Sequence, residues 1–485
     1  MIHNHIFMKK GSCAKLLAIF ISLLFVCSSL ALNGLAENSV TSGTKVVLAD
    51  WTVMYYLCCD NHISYEADIM LDNLTKVGSS QDFNLIALKD GNEQGDSALY
   101  KIEEGKLVDI SSLYGIPSEL DMSNSNTMRV FLQIAMSDFP AKHYCLYINS
   151  DCGSGWIGVC HDNQAVTNKN YPLIPYPKFS SVLKDVTSDG TNKLDVIVYN
   201  PCVSQAFEAS YELYPYVNYM VASEEHMLEE SDMGPQYVLK YLDSTWELKN
   251  NTALSPEEFA KSFVDSYIPC IQPLMVGFYY IALKHNNVFP FVRFLSEKAT
   301  KFLNNRRNPS LHIVSFHTTL SLINLSKTDA VAKAIDNLAS LLLLNINEKE
   351  IINSINKARS QVREYGKLYP KKWSIEPFYI EFPIEKFAYD SFVDLYNLVQ
   401  LINRSVENQA IKNACTEVLN KLADAVIANK AMPNDESYGT SIYFPKAKAL
   451  YNSNIWKGKI LTKYEELRFS QDTQWDEFLR AYLKF

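Results

Sequence analysis

An α/β fold, a mostly parallel sheet covered by helices on both faces, is what the sequence predicts. Three observations predict it. From residue 51 onward, short apolar runs rich in β-branched residues and tyrosine recur at intervals long enough to hold a helix. The stretches between them carry helical periodicity, and that alternation is how parallel strands joined by crossover helices read in sequence. Scale is the third: 485 residues, 47% hydrophobic and 20% charged, supply a sizeable core. That length suits two or three domains, or one large α/β domain with additions.

In chain order, the first element is a targeting segment. Met8-Lys9-Lys10 and Lys15 precede an apolar run from Leu16 to Leu32, with small residues at Ala31 and Ala36. This is the order of a secretory signal peptide, assigned to residues 1–36, with translation expected to start at Met8. The competing reading is an uncleaved anchor, because the run approaches the roughly 20 apolar residues that span a bilayer. Val26 before Cys27 fits a lipoprotein site poorly. The expected location is therefore exported: periplasmic, extracellular or cell surface, with membrane contact only if the signal stays uncleaved.

Residues 37–50 read as a short leader. Strands follow at Trp51 to Leu57, Phe83 to Lys89, His143 to Asn149, Leu194 to Asn200 and Tyr216 to Ala222, with helices at Tyr65 to Val77, Asn126 to Asp138 and Gln205 to Leu213. These make a first region, 51–250. Beyond it the character turns helical. Ser255-Pro256-Glu257-Glu258 is a helix start, with serine as cap, proline at the first helical position and acids in the first turn. Helical periods then cover Val288 to Asn304, Thr328 to Leu344, Glu348 to Tyr365, Asp390 to Asn403 and Ala410 to Asn429; Tyr438 to Pro445 returns to strand character. Residues 251–485 are thus a helix-rich C-terminal region.

Composition excludes several functions. A formal charge of −9 provides no basic stripe for phosphates, so no nucleic-acid partner is expected. Of ten cysteines, Cys13 and Cys27 leave with the signal. The remaining eight form no CxxC pair, no dense disulfide framework and no zinc-ligand spacing, so no metal site is read from them.

In open α/β sheets, ligands bind beyond the carboxyl ends of the strands. Two short loops lie there: Asp151-Cys152-Gly153-Ser154-Gly155-Trp156 and Asn200-Pro201-Cys202. Cys202 ends a strand and precedes a helix, which exposes a side chain and offers backbone N–H groups from the next turn. Taken alone, a strand-end cysteine is more often a buried inert thiol. Gly153 and Gly155 let the facing loop approach closely, with Trp156 as a hydrophobic prop.

With Trp51 to Leu57, Asp60-Asn61, Lys76-Val77-Gly78-Ser79, Pro140 to Tyr144, Gly158-Val159-Cys160, Asp162, Leu194 to Ile197, Val221 to Glu225, Tyr438 to Pro445 and Thr473 to Leu479, these loops closely resemble the clostripain family of cysteine peptidases, in the caspase and gingipain clan. The resemblance implies a caspase-like, mostly parallel sheet flanked by helices, with a helix-rich C-terminal region. It implies Cys202 as the nucleophile position. Where the family carries its catalytic histidine, this chain has Cys152. Asn200 replaces an aspartate that helps bind the basic side chain before the cut bond, and Pro201 replaces a small residue. Calcium is possible by the same resemblance; no other cofactor is expected. Relatives often cut themselves after basic residues between the catalytic strands, a stretch that here holds Lys169, Lys178 and Lys184.

Amide hydrolysis needs a base for the thiol and an acid for the leaving amine. Outside the leader, the candidate histidines are His62, His143, His161, His226, His285, His312 and His317. His226 follows Ser223-Glu224-Glu225 near the family's specificity pocket, although a histidine in an acidic loop is more often solvated. The acids Glu224, Glu225, Glu229, Glu230 and Asp232 could attract a basic peptide, while an acid-rich loop is usually just solvated. A bridge between Cys152 and Cys202 is less favoured than two thiols, because a disulfide needs Cα atoms within about 7 Å.

The expectation is an exported clostripain-like homologue with impaired or absent peptidase activity that binds a peptide or protein through the former cleft. The alternative is an active cysteine endopeptidase, with Cys202 as nucleophile and a preference for basic residues. A thiol-redox or metal role for Cys152 and Cys202 comes third. Partner identity and oligomeric state are not legible.

Overall fold

The computed structural model describes residues 48–61, 63–150, 155–165, 173–225, 235–267, 271–273, 315–365, 372–375, 378–381, 391–431, 435–452, 455–456, 459–460 and 462–485. Nine strands make its central sheet: β1 Ala49–Cys58, β2 Phe83–Asp90, β3 Ala98–Glu103, β4 Lys106–Asp109, β5 Ala141–Ser150, β6 Leu194–Tyr199, β7 Val217–Ala222, β8 Leu320–Asn324 and β9 Val426–Lys430. Their spatial order is β9-β8-β7-β6-β5-β1-β2-β3-β4. The five central strands, β2-β1-β5-β6-β7, are parallel. An antiparallel pair closes each edge, β3 and β4 on one side and β8 and β9 on the other.

All five strands read from the sequence are present, and they are the parallel ones. Their near-continuous apolar character follows from burial on both faces. Alternate residues divide between two cores. Val53, Tyr55 and Leu57 of β1 face α1 (Ser64–Val77) together with Phe259 and Phe263 of the helix Pro256–Ser266. Met54, Tyr56 and Cys58 face α2 (Ser125–Asp138), α3 (Tyr176–Val186), α4 (Phe207–Leu213) and the C-terminal helices. Helix Pro256–Ser266 starts as expected: Ser255 Oγ accepts from Glu258 N at 3.3 Å, and Glu258 Oε2 accepts from Ser255 N at 2.9 Å.

The C-terminal part is not purely helical. Strands β8 and β9 extend the central sheet, and the helix expected over Ala410 to Asn429 ends at Ala425, where the chain turns into β9. Asp390 to Asn403 likewise resolves into a strand, Phe392–Asp394, followed by the helix Leu395–Ser405. The strand character of Tyr438 to Pro445 is realised as Ser441–Tyr443, paired with Phe392–Asp394. Leu48–Phe485 forms one compact unit. The helix expected over Val288 to Asn304 lies outside the described residues, as does the signal segment. Among the described residues, no helix is long and apolar enough to cross a membrane.

Candidate functional site

The parallel register brings the carboxyl ends of β1, β5 and β6 together. Cys58 aligns with Ser150, and Asn200 N donates to Ile148 O at 3.1 Å just past β6. The chain then turns sharply at Pro201-Cys202-Val203. Val203 has φ +52°, a left-handed conformation that a β-branched residue adopts only under constraint. The constraint is visible: Val203 N donates to Glu225 O at 3.0 Å, and Val203 O accepts from Gly155 N at 2.5 Å. The two loops that the sequence set opposite each other are thus joined through their backbones, and Cys202 sits between them, half-buried.

Gly155 is required twice over. Its φ is +53°, and a Cβ there would lie 2.0 Å from Phe392 Cζ. Next to it, Trp156 is buried between Tyr443 and Tyr464, with ring centroids 5.4 and 5.3 Å away. The hydrophobic prop read from the sequence is therefore built, and the C-terminal region supplies its far wall.

In the turn at Cys202, two of the backbone N–H groups are already taken. Val203 N is bonded to Glu225 O, and Gln205 N donates to Ser223 O at 2.9 Å. Both are occupied because the turn is docked onto the segment that follows β7. Beneath it, Asn200 is buried; its Nδ2 donates to Asn149 Oδ1 at 2.7 Å, while its Oδ1 is buried with no hydrogen-bond partner. Asn149 Nδ2 in turn faces Glu66 Oε2 at 3.5 Å. The side chain at 200 is thus engaged sideways, with β5.

Glu224 and Glu225 are not a solvated acidic face: they are 1% and 4% exposed. Glu224 Oε2 accepts from Ser437 Oγ at 2.6 Å and Gly439 N at 3.1 Å. Burial, then the neighbouring Asp394 carboxyl, pushes Glu224 well above the usual carboxylate range. Glu225 holds the Cys202 turn through its carbonyl, and its carboxylate lies 3.9 Å from Arg363 Nη2. Asp232, Glu229, Glu230, His226 and Cys152, with the pairing of Cys152 and Cys202, fall outside the described residues, as do His62, His285, His312 and the side chain of His317.

Two histidines can be placed. His143 lies near the amino end of β5, about 23 Å of strand from Ser150, with Nδ1 3.3 Å from Asp195 and its ring against Trp51. It is no partner for Cys202. His161 is buried, and its backbone ties strand ends together: its N–H donates to Ser150 Oγ at 2.9 Å, and its carbonyl accepts from Asn61 Nδ2 at 3.0 Å and Cys58 Sγ at 3.2 Å.

Sequence reasoning missed a cluster beside this seam. Asp60, Asp90 and Asp162 each bring a carboxylate oxygen within 4.8 Å of the others, all buried. Each is an ordinary loop or strand-end acid in sequence; the parallel pairing of β1 with β2 sets Asp60 near Asp90, and the bond from Asn163 N to Asp60 O at 2.8 Å brings Asp162 to them.

The architecture and the cysteine turn define a caspase-like cysteine-peptidase scaffold. The comparisons agree. The profile of the clostripain family matches residues 55–482, and the chain belongs to that family. Clostripain of Hathewaya histolytica is 22% identical over 449 residues, covering 84% of this chain and 77% of the relative. An inactive zymogen of a C11 protease from Parabacteroides distasonis superposes with a TM-score of 0.52 at 15% identity, covering 88% of this chain and 99% of the other. A secreted C11 cysteine protease from Bacteroides thetaiotaomicron, in complex with an irreversible peptide inhibitor, gives 0.51 at 16% identity, covering 88% and 100%. At these identities the two structures establish the shared fold.

Proposed function

We propose that this chain is an exported clostripain-family protein that holds a peptide segment in the cleft around Cys202 without cleaving it efficiently. One observation carries the reading: the Cys202 turn is kept in place by backbone clamps from Gly155 and Glu225, while the position that should supply its imidazole is Cys152. An unperturbed cysteine is only a few per cent thiolate at neutral pH, and the cysteine at position 152 supplies no imidazole to protonate a leaving amine. Removing a catalytic histidine from a serine peptidase costs about a millionfold in turnover. Export is supported by the signal-like N-terminus and by the secreted relative. A peptide as ligand is supported by the peptide inhibitor bound to that relative.

The test is the pH dependence of Cys202 alkylation by iodoacetamide, followed by peptide mass spectrometry, alongside hydrolysis of arginyl and lysyl peptides. Without a base, the rate climbs about tenfold per pH unit toward the ordinary thiol pKa near 8.5. A rate already at plateau below pH 7, together with hydrolysis that Cys202→Ala abolishes, would establish the alternative, an active endopeptidase directed at basic residues.

A further inference from the structure

Two thiols meet where β1 ends, although their spacing along the chain hides them. Cys58 closes β1, and Cys160 follows the short strand Gly158–Val159 just beyond Trp156. Both are fully buried. Cys58 Sγ donates to His161 O at 3.2 Å, and the Cys58 thiol also makes a hydrogen-bond contact with that of Cys160. The rest of the segment is pinned beside them. His161 N donates to Ser150 Oγ at 2.9 Å, Asn61 Nδ2 to His161 O at 3.0 Å and Asn163 N to Asp60 O at 2.8 Å. Cys160 itself has φ +63°, a left-handed conformation that a residue with a Cβ rarely adopts, so those bonds rather than local preference aim its side chain.

Alternation along β1 separates this pair from the neighbouring cysteines. Cys58 and Cys160 share the core that contains Trp156, whereas Cys59 and Cys145 lie in the core on the other face, where Cys59 Sγ accepts from Asn149 Nδ2 at 3.7 Å. Burial, and then the contact with Cys160, pushes the Cys58 thiol well above its usual range, so in the folded protein it is a poor nucleophile. A bond between the two sulfurs therefore forms while the core is still open, and afterwards it is shielded from soluble thiols.

We propose that Cys58 and Cys160 form a disulfide in the exported protein. Thiols already in contact satisfy the first requirement of a bridge, side chains that point at one another. The oxidant is a second disulfide, that of a thiol–disulfide oxidoreductase or of glutathione, as an oxidising compartment supplies. Both S–H bonds and the oxidant's S–S bond break, the Cys58–Cys160 bond forms, and two protons and two electrons end on the oxidant as two thiols. The bridge joins β1 to the segment that leads away from Gly155 and Trp156, and so fastens one wall of the cleft. The supply of oxidant rests on the export reading; the pairing does not depend on what Cys202 does.

The test uses the full mature chain, sent into an oxidising bacterial periplasm behind a standard signal peptide and capped with N-ethylmaleimide in urea. Peptic digestion without reductant and tandem mass spectrometry should then show Cys58 linked to Cys160. The link should persist in Cys59→Ala and vanish in Cys160→Ala. The same parent chain made in a reducing cytoplasm and kept in dithiothreitol should carry both thiols capped and melt about 5 °C lower, the scale for opening a loop of about a hundred residues, and Cys160→Ala should abolish that difference. The linkage is read on the unaltered protein, so it decides the matter even where a variant fails to fold. Capped Cys58 and Cys160 in the periplasmic product, a bridge from either to another cysteine, or equal melting of the two products would overturn the proposal.

Discussion

Replacing Gly155 by alanine tests the joint between the two loops at its tightest point. Two costs follow from the geometry. At φ +53° a residue with a Cβ loses about 1–2 kcal/mol relative to its relaxed backbone. The new methyl would also sit 2.0 and 2.3 Å from Phe392 Cζ and Cε1, far inside contact distance, so the buried ring or the loop must move. Overpacking of that kind costs about 1–3 kcal/mol. Alanine returns about 0.4–1 kcal/mol by restricting the unfolded chain. The net expectation is a loss of about 1–4.5 kcal/mol, centred near 3, read as a lower urea midpoint at unchanged slope. Phe392→Leu separates the two costs. In that background the ring clash is relieved, and Gly155→Ala should cost only about 1 kcal/mol, a coupling near 1–3 kcal/mol in the double-mutant cycle. An unchanged midpoint in Gly155→Ala would refute the whole argument; an equal loss in both backgrounds would refute the assignment to Phe392.

Other perturbations read other parts of the fold. Glu208 is buried, its Oε1 accepting from Tyr464 OH at 2.8 Å and Tyr443 N at 2.9 Å, and burial pushes it up to about 7. Because its folded pKa lies above the unfolded value, its contribution is fully present below about pH 4.5 and is lost as pH rises through 7, by about 3 kcal/mol at most. Glu208→Gln should therefore gain on the parent between pH 5 and pH 8 in urea midpoints; a pH-independent difference would show that the carboxyl stays ionised. Cys152→His alone should leave cleavage of arginyl peptides far below that of an active relative, since Asn200 and Pro201 remain; full recovery in a fluorogenic assay would make those two exchanges neutral. The purified mature protein should run as a single chain on a denaturing gel. Lys178 and Lys184 lie on α3, which must unwind before a protease can use them. A two-chain product lost in Cys202→Ala would contradict this.

The central strands were legible because burial on both faces leaves continuous apolar runs such as Val196-Ile197-Val198. The edges were not. In β3 and β4, Lys101, Glu103 and Lys106 break the pattern, as suits strands at the rim of a sheet. Strand β9 hid inside a helical period: Val426 to Asn429 continues the spacing of the preceding helix, and only pairing with β8, a hundred residues upstream, makes it a strand. At the site, the turn at Cys202 and the buried Trp156 could be read because their signals are local. Glu224 could not, since Ser437 and Gly439, which turn a loop acid into a buried bracket, are 213 and 215 residues away.

That division also bears on the proposed function, a cleft that keeps its shape whatever its chemistry. Among the described residues, the bonds that dock the Cys202 turn onto its neighbours are main-chain, Gly155 N to Val203 O, Val203 N to Glu225 O and Gln205 N to Ser223 O, while the Ser204 hydroxyl braces it from within, donating to Pro201 O at 2.6 Å and Cys202 O at 3.2 Å. None depends on the side chain at 152, 200 or 201. The energy that seats the loops comes instead from Trp156 packed on Tyr443 and Tyr464, and from Phe392 closing over Gly155. The docking of the turn therefore does not rest on those three side chains, whereas exchanges at Gly155 or Trp156 cost several kcal/mol. A cleft held in this way stays formed whatever side chains stand at positions 152, 200 and 201, and the proposed peptide binding requires no more than that.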